Sequence, residues 1–395
     1  MPIEQRIELD TLGFGIDDPE LRSQIADALR DTDRYGPGFT VLRQAVSGSR
    51  QNYLMRVDDG TSDGTAIVWC RATHEVIDDA FAGRFTLARE AAVLGRLADL
   101  AIRAPRVLGR SRSGRALIQQ YIGERDPADA ATREVDIGGF FDELDRVHTL
   151  DPATVLPPDE LLPPLTATIA VQTEVSAWMA LARQLLASGR LSAIDRPALV
   201  PDAPRRIELV LSEMDAVRIP DVDLDLDLVH GDAGRANYIV DHAGDVWLID
   251  WELVHCGSRL EDYAWCELRG LEQDEAVWRR HVMARLDLMA ESAIDMYRYF
   301  RMLIYFRSVV AIAARMAADP SHPFAAYLAQ RFEENEALGW LSARPLRQAD
   351  GRQRLSIADA AGAFTPASAP RLAAWSSWTD SINAIVQARR QQQQS

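Results

Sequence analysis

The stretch LVHGDAGRANYIVDHAGDVWLIDWE, residues 228 to 252, sets an acid, Asp232, five residues before an amide, Asn237. It places a second acid, Asp250, beyond the turn His242-Ala243-Gly244, at the end of what reads as a β-hairpin (YIVD and DVWLID). Two carboxylates and an amide make a compact oxygen-donor set. Such a set suits Mg²⁺, which is hard, prefers oxygen and is usually held by one or two carboxylates together with substrate phosphates. Phosphoryl transfer needs the same inventory: a carboxylate beside the nucleophilic hydroxyl, with carboxylate and amide ligands holding metal against phosphate. Taken singly, Asp232 and Asn237 read as turn-formers, because both side chains bond to nearby backbone. Their full spacing, downstream of a β-rich region, points to catalysis. Glu252 either supports the metal ligands or braces the loop.

The elements that must position these residues follow from periodicity. Short β-like runs at 39–46, 52–57 and 66–70 are separated by turn residues, Ser47-Gly48-Ser49-Arg50 being the first. In RFTLAREAAVLGRLADL, Leu87, Ala91, Leu94 and Leu97 recur at helical spacing, so a helix with one buried stripe is expected there. Strands at 106–109 and 116–120 complete an α+β pattern, a mainly antiparallel sheet carrying one helix. From about Arg133 helices dominate, expected at 134–149, 166–188, 203–217, 259–286, 291–318 and 322–338, with a last one near 370–388 and the tail QQQQS expected to be disordered.

Composition narrows the chemistry further. All 43 basic side chains counted in the 395 residues are arginine, so Schiff-base lysine chemistry and a Walker A lysine are excluded. A net charge of −16 argues against a nucleic-acid partner, which would call for a basic stripe. Cys70, Cys256 and Cys266 are too scattered for a disulfide framework or a zinc site. No apolar h-region opens the chain and no uncharged apolar run reaches the ~18 residues of a membrane span, so a cytoplasmic protein without membrane insertion is expected. Asp221, Asp223, Asp225 and Asp227 alternate with apolar residues and read as a solvated face rather than a second metal site. His148 and His230 read as structural, and Trp265, Tyr297, Tyr299, Phe300, Tyr305 and Phe306 as core.

The H-G-D loop with its Asn five residues after the Asp, the hairpin and I-D-W-E resemble the aminoglycoside phosphotransferase and choline kinase branch of the protein-kinase-like fold. Supporting stretches are S-G-S-R-Q-N-Y, A-R-E-A-A-V-L, A-P-R-V-L, R-V-H-T-L-D-P and L-E-D-Y-A-W, in the right order over roughly 35 to 315. The chain looks most similar to the subgroup that resembles kinase-like domains fused to some acyl-CoA dehydrogenases. This resemblance implies a bilobal α+β fold and an ATP- and Mg²⁺-dependent kinase acting on a small hydroxylated molecule. Asp232 would be the catalytic base, and Asn237 and Asp250 would hold Mg²⁺. Glu90 would pair with a phosphate-binding cation on the third strand, where this chain has Arg71 in place of the usual lysine. The subgroup resembles this chain in carrying arginine there, and an arginine fork can take Glu90 on one edge and phosphate on another. Ser49 and Asn52 would help cover the triphosphate, while Gln119 and Tyr121 would lie at the hinge that meets adenine.

The expected division is a nucleotide-binding lobe to about residue 122 with a helical extension to about 35, a helical lobe 123–345 with the catalytic loop and acceptor site, and a C-terminal extension 346–395. Acceptors implied are a hydroxyacyl-CoA or hydroxy acid, or an aminoglycoside-type amino-alcohol; Arg298, Arg301 and Arg307 would favour an anionic one if they face the cleft. The competing reading is a nucleotide-binding pseudokinase or interaction module without transfer activity. Oligomeric state leaves no trace in the sequence.

Overall fold

The computed structural model describes residues 16, 18–32, 34–47, 50–58, 65–73, 86–125, 130–158, 166–222, 224–271, 273–321, 324–343, 346 and 363–394. These fall into two compact units, one within Met1–Leu162 and Ala236–His255, the other within Pro163–Arg235 and Cys256–Ser395.

The first unit is built on a five-stranded antiparallel sheet of order β1-β2-β3-β5-β4, formed by β1 (Phe39–Ser47), β2 (Arg50–Asp58), β3 (Thr65–Thr73), β4 (Val107–Arg110) and β5 (Ala116–Gln120). Strand alternation sorts its side chains onto two faces. Tyr53, Met55, Val68, Cys70, Ala72 and Ile118 lie on the face covered by helix α1 (Pro19–Arg30), whose Leu21, Ile25, Ala28 and Leu29 are buried against them. Asp18 caps α1 through its carboxylate, which accepts from the backbone N–H of Glu20 and Leu21. Residues one step along the strands, Asn52, Arg71 and Leu117, line up opposite one another on the other face. Helix α2 (Leu87–Asp99), capped by Thr86, brings Glu90 to that face. The unit is completed by α3 (Ala130–His148), α4 (Pro152–Val155) and a hairpin.

In the second unit, α5 (Ala167–Ala187), α6 (Ala203–Ala216) and a short strand β6 (Asp227–Val229) precede the H-G-D loop. Between that loop and the next helix, the hairpin β7 (Tyr238–Val240) and β8 (Val246–Leu248) belongs to the first unit. Helices α7 (Arg259–Gly270), α8 (Glu275–Asp287), α9 (Glu291–Ala318), α10 (Ala325–Ala343) and α11 (Ala369–Gln394) follow. The expected single helix 259–286 is therefore two. Its break begins at Gly270, where a Cβ would stand 2.8 Å from that of Trp278, and ends at Asp274, whose φ of 55° cannot continue an α-helix. Helix α10 starts within described residues at 325 and runs five residues beyond the expected end, and α4, initiated by Asp151 and Pro152, was not anticipated. On α11, Trp375, Trp378, Ile382 and Val386 form the buried stripe that its amphipathic spacing implies, and the helix runs on to Gln394, so the glutamines of the tail are helical where disorder was expected.

Candidate active site

Residue Arg71 sits in the middle of β3 and is 4% exposed. Alternation aims it away from the apolar core and towards α2. Its guanidinium spans three carboxylates. One terminal nitrogen, Nη1, donates to Glu90 Oε1 at 2.7 Å, while Nη2 donates to Asp250 Oδ1 at 2.7 Å and to Glu252 Oε2 at 3.1 Å. Burial alone would push the guanidinium pKa down; attraction from Asp250, Glu90 and Glu252 outweighs it, and the net shift is upward. Arg71 is therefore a permanent buried cation. Gln119, on the same face of β5, donates from Nε2 to the same Glu90 oxygen at 3.1 Å. Asn52 is the cross-strand partner of Arg71 on β2 and is buried. Ser49 lies outside the described residues, and Tyr121, just beyond β5, is 41% exposed.

The hairpin that carries Asp250 is held from both ends. At its turn, Asp241 accepts from the backbone N–H of Ala243 and Asp245 and from Trp247 Nε1, at 2.9–3.0 Å. Burial works against the charged form of Asp241, but those hydrogen bonds prevail and its pKa is lowered. Beyond β8, Trp251 is fully buried and donates from Nε1 to Leu248 O at 2.9 Å. Asp250, caught between strand and anchor, takes the left-handed conformation (φ 66°, ψ 58°), which Asp tolerates better than most residues. Ile249 N–H donates to Asn237 O at 3.0 Å, so the backbone of the amide residue lies beside that of the acid. Asn237 and Asp250 supply an amide oxygen and a carboxylate, a donor pair suited to Mg²⁺ when phosphate oxygens complete the shell. Among the described residues no group of three or more His, Cys, Asp or Glu could hold a metal unaided.

In the second unit the H-G-D loop is gripped by α7. Asp262, fully buried in the first turn of that helix, accepts from His230 N–H and Gly231 N–H at 2.9 Å each. The groups that Asp262 holds are thus the backbone N–H groups of the two residues before Asp232. Arg269, two turns further along α7, donates from Nη2 to both Asp232 oxygens, at 2.8 and 3.0 Å. Sequence reasoning passed over Arg269. The signal was its position seven residues after Asp262, which puts both on one face of the helix.

The three arginines of this unit that could have favoured an anionic acceptor, Arg298, Arg301 and Arg307, are engaged internally. Arg301 (4% exposed) is clamped to Glu267, which also accepts from the Tyr297 and Tyr305 hydroxyls. Arg307 (0%) pairs with Glu261 and Glu174, and Arg298 pairs with Asp295 and Asn383. Of the acidic run, Asp221 and Asp225 are exposed as expected, but Asp227 is buried and bonded to Arg259; Asp223 lies outside the described residues. His148, His230 and the aromatics from Trp265 to Phe306 are buried, in keeping with structural roles.

A sequence model of the phosphotransferase enzyme family matches residues 78–297. No curated protein gives a sequence match. Among solved structures, an ethanolamine kinase of Plasmodium vivax superposes with a TM-score of 0.52 at 12% identity, over 75% of this chain and 81% of that one. A choline/ethanolamine kinase family protein from Mesorhizobium loti gives 0.50 at 16% identity, over 90% and 98%. The Streptococcus pneumoniae choline kinase LicA in complex with AMP gives 0.50 at 14% identity, over 77% and 93%. At such identities the likeness is one of fold.

Proposed function

The chain belongs to the phosphotransferase enzyme family, and from that premise we propose that it is an ATP- and Mg²⁺-dependent kinase that phosphorylates a hydroxyl of a small molecule. The observation that carries the nucleotide part is the buried Arg71, held by Glu90 and reaching Asp250. A permanent cation fixed on a strand, beside an oxygen donor suited to Mg²⁺, is what a triphosphate requires. Family membership and the AMP complex of a fold neighbour support nucleotide use.

In this reading Glu90 and Gln119 hold Arg71 against the phosphates, and Asn52 lies beside it. Asn237 and Asp250 hold Mg²⁺, which when bound neutralises charge on the phosphate oxygens. Asp232 receives the proton of the acceptor hydroxyl while that oxygen bonds to the γ-phosphorus and the bond to the β-phosphate oxygen breaks. Residues to about 122 then form the nucleotide-binding lobe, 123–345 the helical lobe and 346–395 an extension. Three cysteines with no disulfide among them suit a cytoplasmic setting. For the acceptor, the structural neighbours are named as ethanolamine and choline kinases, whereas the subgroup resemblance points to hydroxy acids and hydroxyacyl-CoAs.

The test is a thermal-shift titration with Mg-ATP beside ATP consumption over aminoglycosides, choline-like alcohols, macrolides and hydroxyacyl-CoAs. Ligand at about a hundred times Kd stabilises by ~2.7 kcal/mol, a shift of several degrees. Asp232→Asn should keep that shift and lose at least about 10²-fold in turnover. Full turnover by the variant would remove Asp232 as base; stabilisation without turnover on any acceptor would favour a pseudokinase, and no stabilisation would remove the nucleotide site.

A further inference from the structure

Helix α7 touches the H-G-D loop at two points on one face. Asp262 fixes the peptide groups before Asp232, and Arg269 fixes its carboxylate. Arg269 is itself held on two sides. Its guanidinium lies over the Trp265 ring, 5.5 Å from the centroid, one helical turn earlier. Its aliphatic stem fills the space in front of Gly234, where a Cβ would stand 2.6 Å from both Cβ and Cγ of the arginine. The loop glycine is thus the mould for the arginine stem, and the tryptophan is the shelf for its head. The side chains remain partly open, 25% for Arg269 and 16% for Asp232, so the carboxylate is held yet reachable.

We propose that Arg269 is a positioning residue for phosphoryl transfer, holding the Asp232 carboxylate in the orientation from which it accepts the acceptor proton. The proposal rests on the reading of Asp232 as the base. A hydroxyl must lie about 2.6–3.2 Å from its base, and a misplacement of about 1 Å can cost ~10²-fold. An ionised carboxylate has about four lone-pair sites, so each oxygen that accepts from Nη2 keeps room for the acceptor hydroxyl.

The experiment uses water as the acceptor, so that no acceptor need be known: intrinsic hydrolysis of Mg-ATP by wild type, Arg269→Ala, Arg269→Gln and Asp232→Asn. Both Arg269 variants should lose about 10²-fold in kcat with KM for ATP within about twofold, and guanidinium ion at about 20 mM should restore part of the Arg269→Ala rate. Guanidinium should not help Asp232→Asn. Wild-type kcat in Arg269→Ala and Arg269→Gln, or a loss that guanidinium leaves unrepaired in Arg269→Ala, would overturn the proposal. The two readings separate cleanly: an active Asp232→Asn removes the base itself, whereas an inactive Asp232→Asn beside an active Arg269→Ala removes only the role of Arg269.

Discussion

At the scale of single residues, the question raised by a lysine-free chain is whether an arginine can serve where a strand-borne lysine usually meets phosphate. The geometry around Arg71 uses what arginine has and lysine lacks, a fork whose two ends donate to different carboxylates at 2.7 Å. An ammonium could meet one of them well but not both at those distances. Arg71→Lys should therefore fold, yet raise KM for ATP about tenfold or more, as measured by initial rates. Arg71→Ala is more severe, because it leaves Glu90, 1% exposed, as a buried carboxylate without its cation. Breaking a buried pair in this way costs about 3–5 kcal/mol, which a urea melt would resolve. An Arg71→Ala protein with unchanged stability and ATP affinity would take away the phosphate clamp.

Among the elements, α7 has the largest structural consequence for the site. Its first turn accepts two peptide N–H groups of the H-G-D loop on a single buried side chain, Asp262. Replacing that carboxylate by a methyl group leaves both donors buried with no acceptor, at about 1–3 kcal/mol each. Asp262→Ala should lower stability by roughly 2–6 kcal/mol and, because the freed N–H groups belong to the two residues before Asp232, lower kcat as well. Asp262→Asn keeps one acceptor and should fall between. Full activity in Asp262→Ala would mean that the loop holds its shape unaided. The hairpin is a contrasting case: its turn is closed by Asp241 on peptides no more than four residues away, a contact that local spacing records.

Over the whole molecule, the missing lysines shape the response to alkali. Most proteins lose positive charge between pH 9 and 11 through lysine; here tyrosine and cysteine carry that range. Burial pushes the pKa values of Tyr53 and Cys70 in the first unit, and of Tyr297, Tyr299 and Tyr305 in the second, above their ordinary values. In each case the folded form keeps its proton to higher pH than the unfolded form. Their contribution is thus intact below the unfolded values, about 8.5 for cysteine and about 10 for tyrosine, and is lost as pH rises beyond them. Each group removes roughly 1.4 kcal/mol per pH unit in that window. Melting temperature should be flat from pH 7 to 8 and fall by several degrees by pH 10.5, with Cys70→Ala delaying the onset. A melting temperature that is the same at pH 7 and 10.5 would contradict this.

The sequence by itself determined the chemistry on offer and the order of the elements. Asp232, Asn237 and Asp250 carry their spacing in the chain, and strand and helix periodicity is a local property, so β1 to β5, α2 and most later helices fall where alternation and apolar stripes put them. Local signals also hid features: Gly270 leaves room for Trp278 of the next helix, a close approach that no helical period records. Tertiary structure decided which charge meets which. Arg71 and Asp250 are 179 positions apart, and Arg269 lies 37 beyond Asp232. With 43 arginines and 59 acids available, composition allows a great many pairings. Burial selects among them, because a charge removed from water is tolerated only opposite a partner that the fold has brought within hydrogen-bonding distance. Arg301 and Arg307, open to an acceptor on sequence grounds, were drawn into the core with Glu267 and Glu261 by that rule, and Arg269 was set beside Asp232.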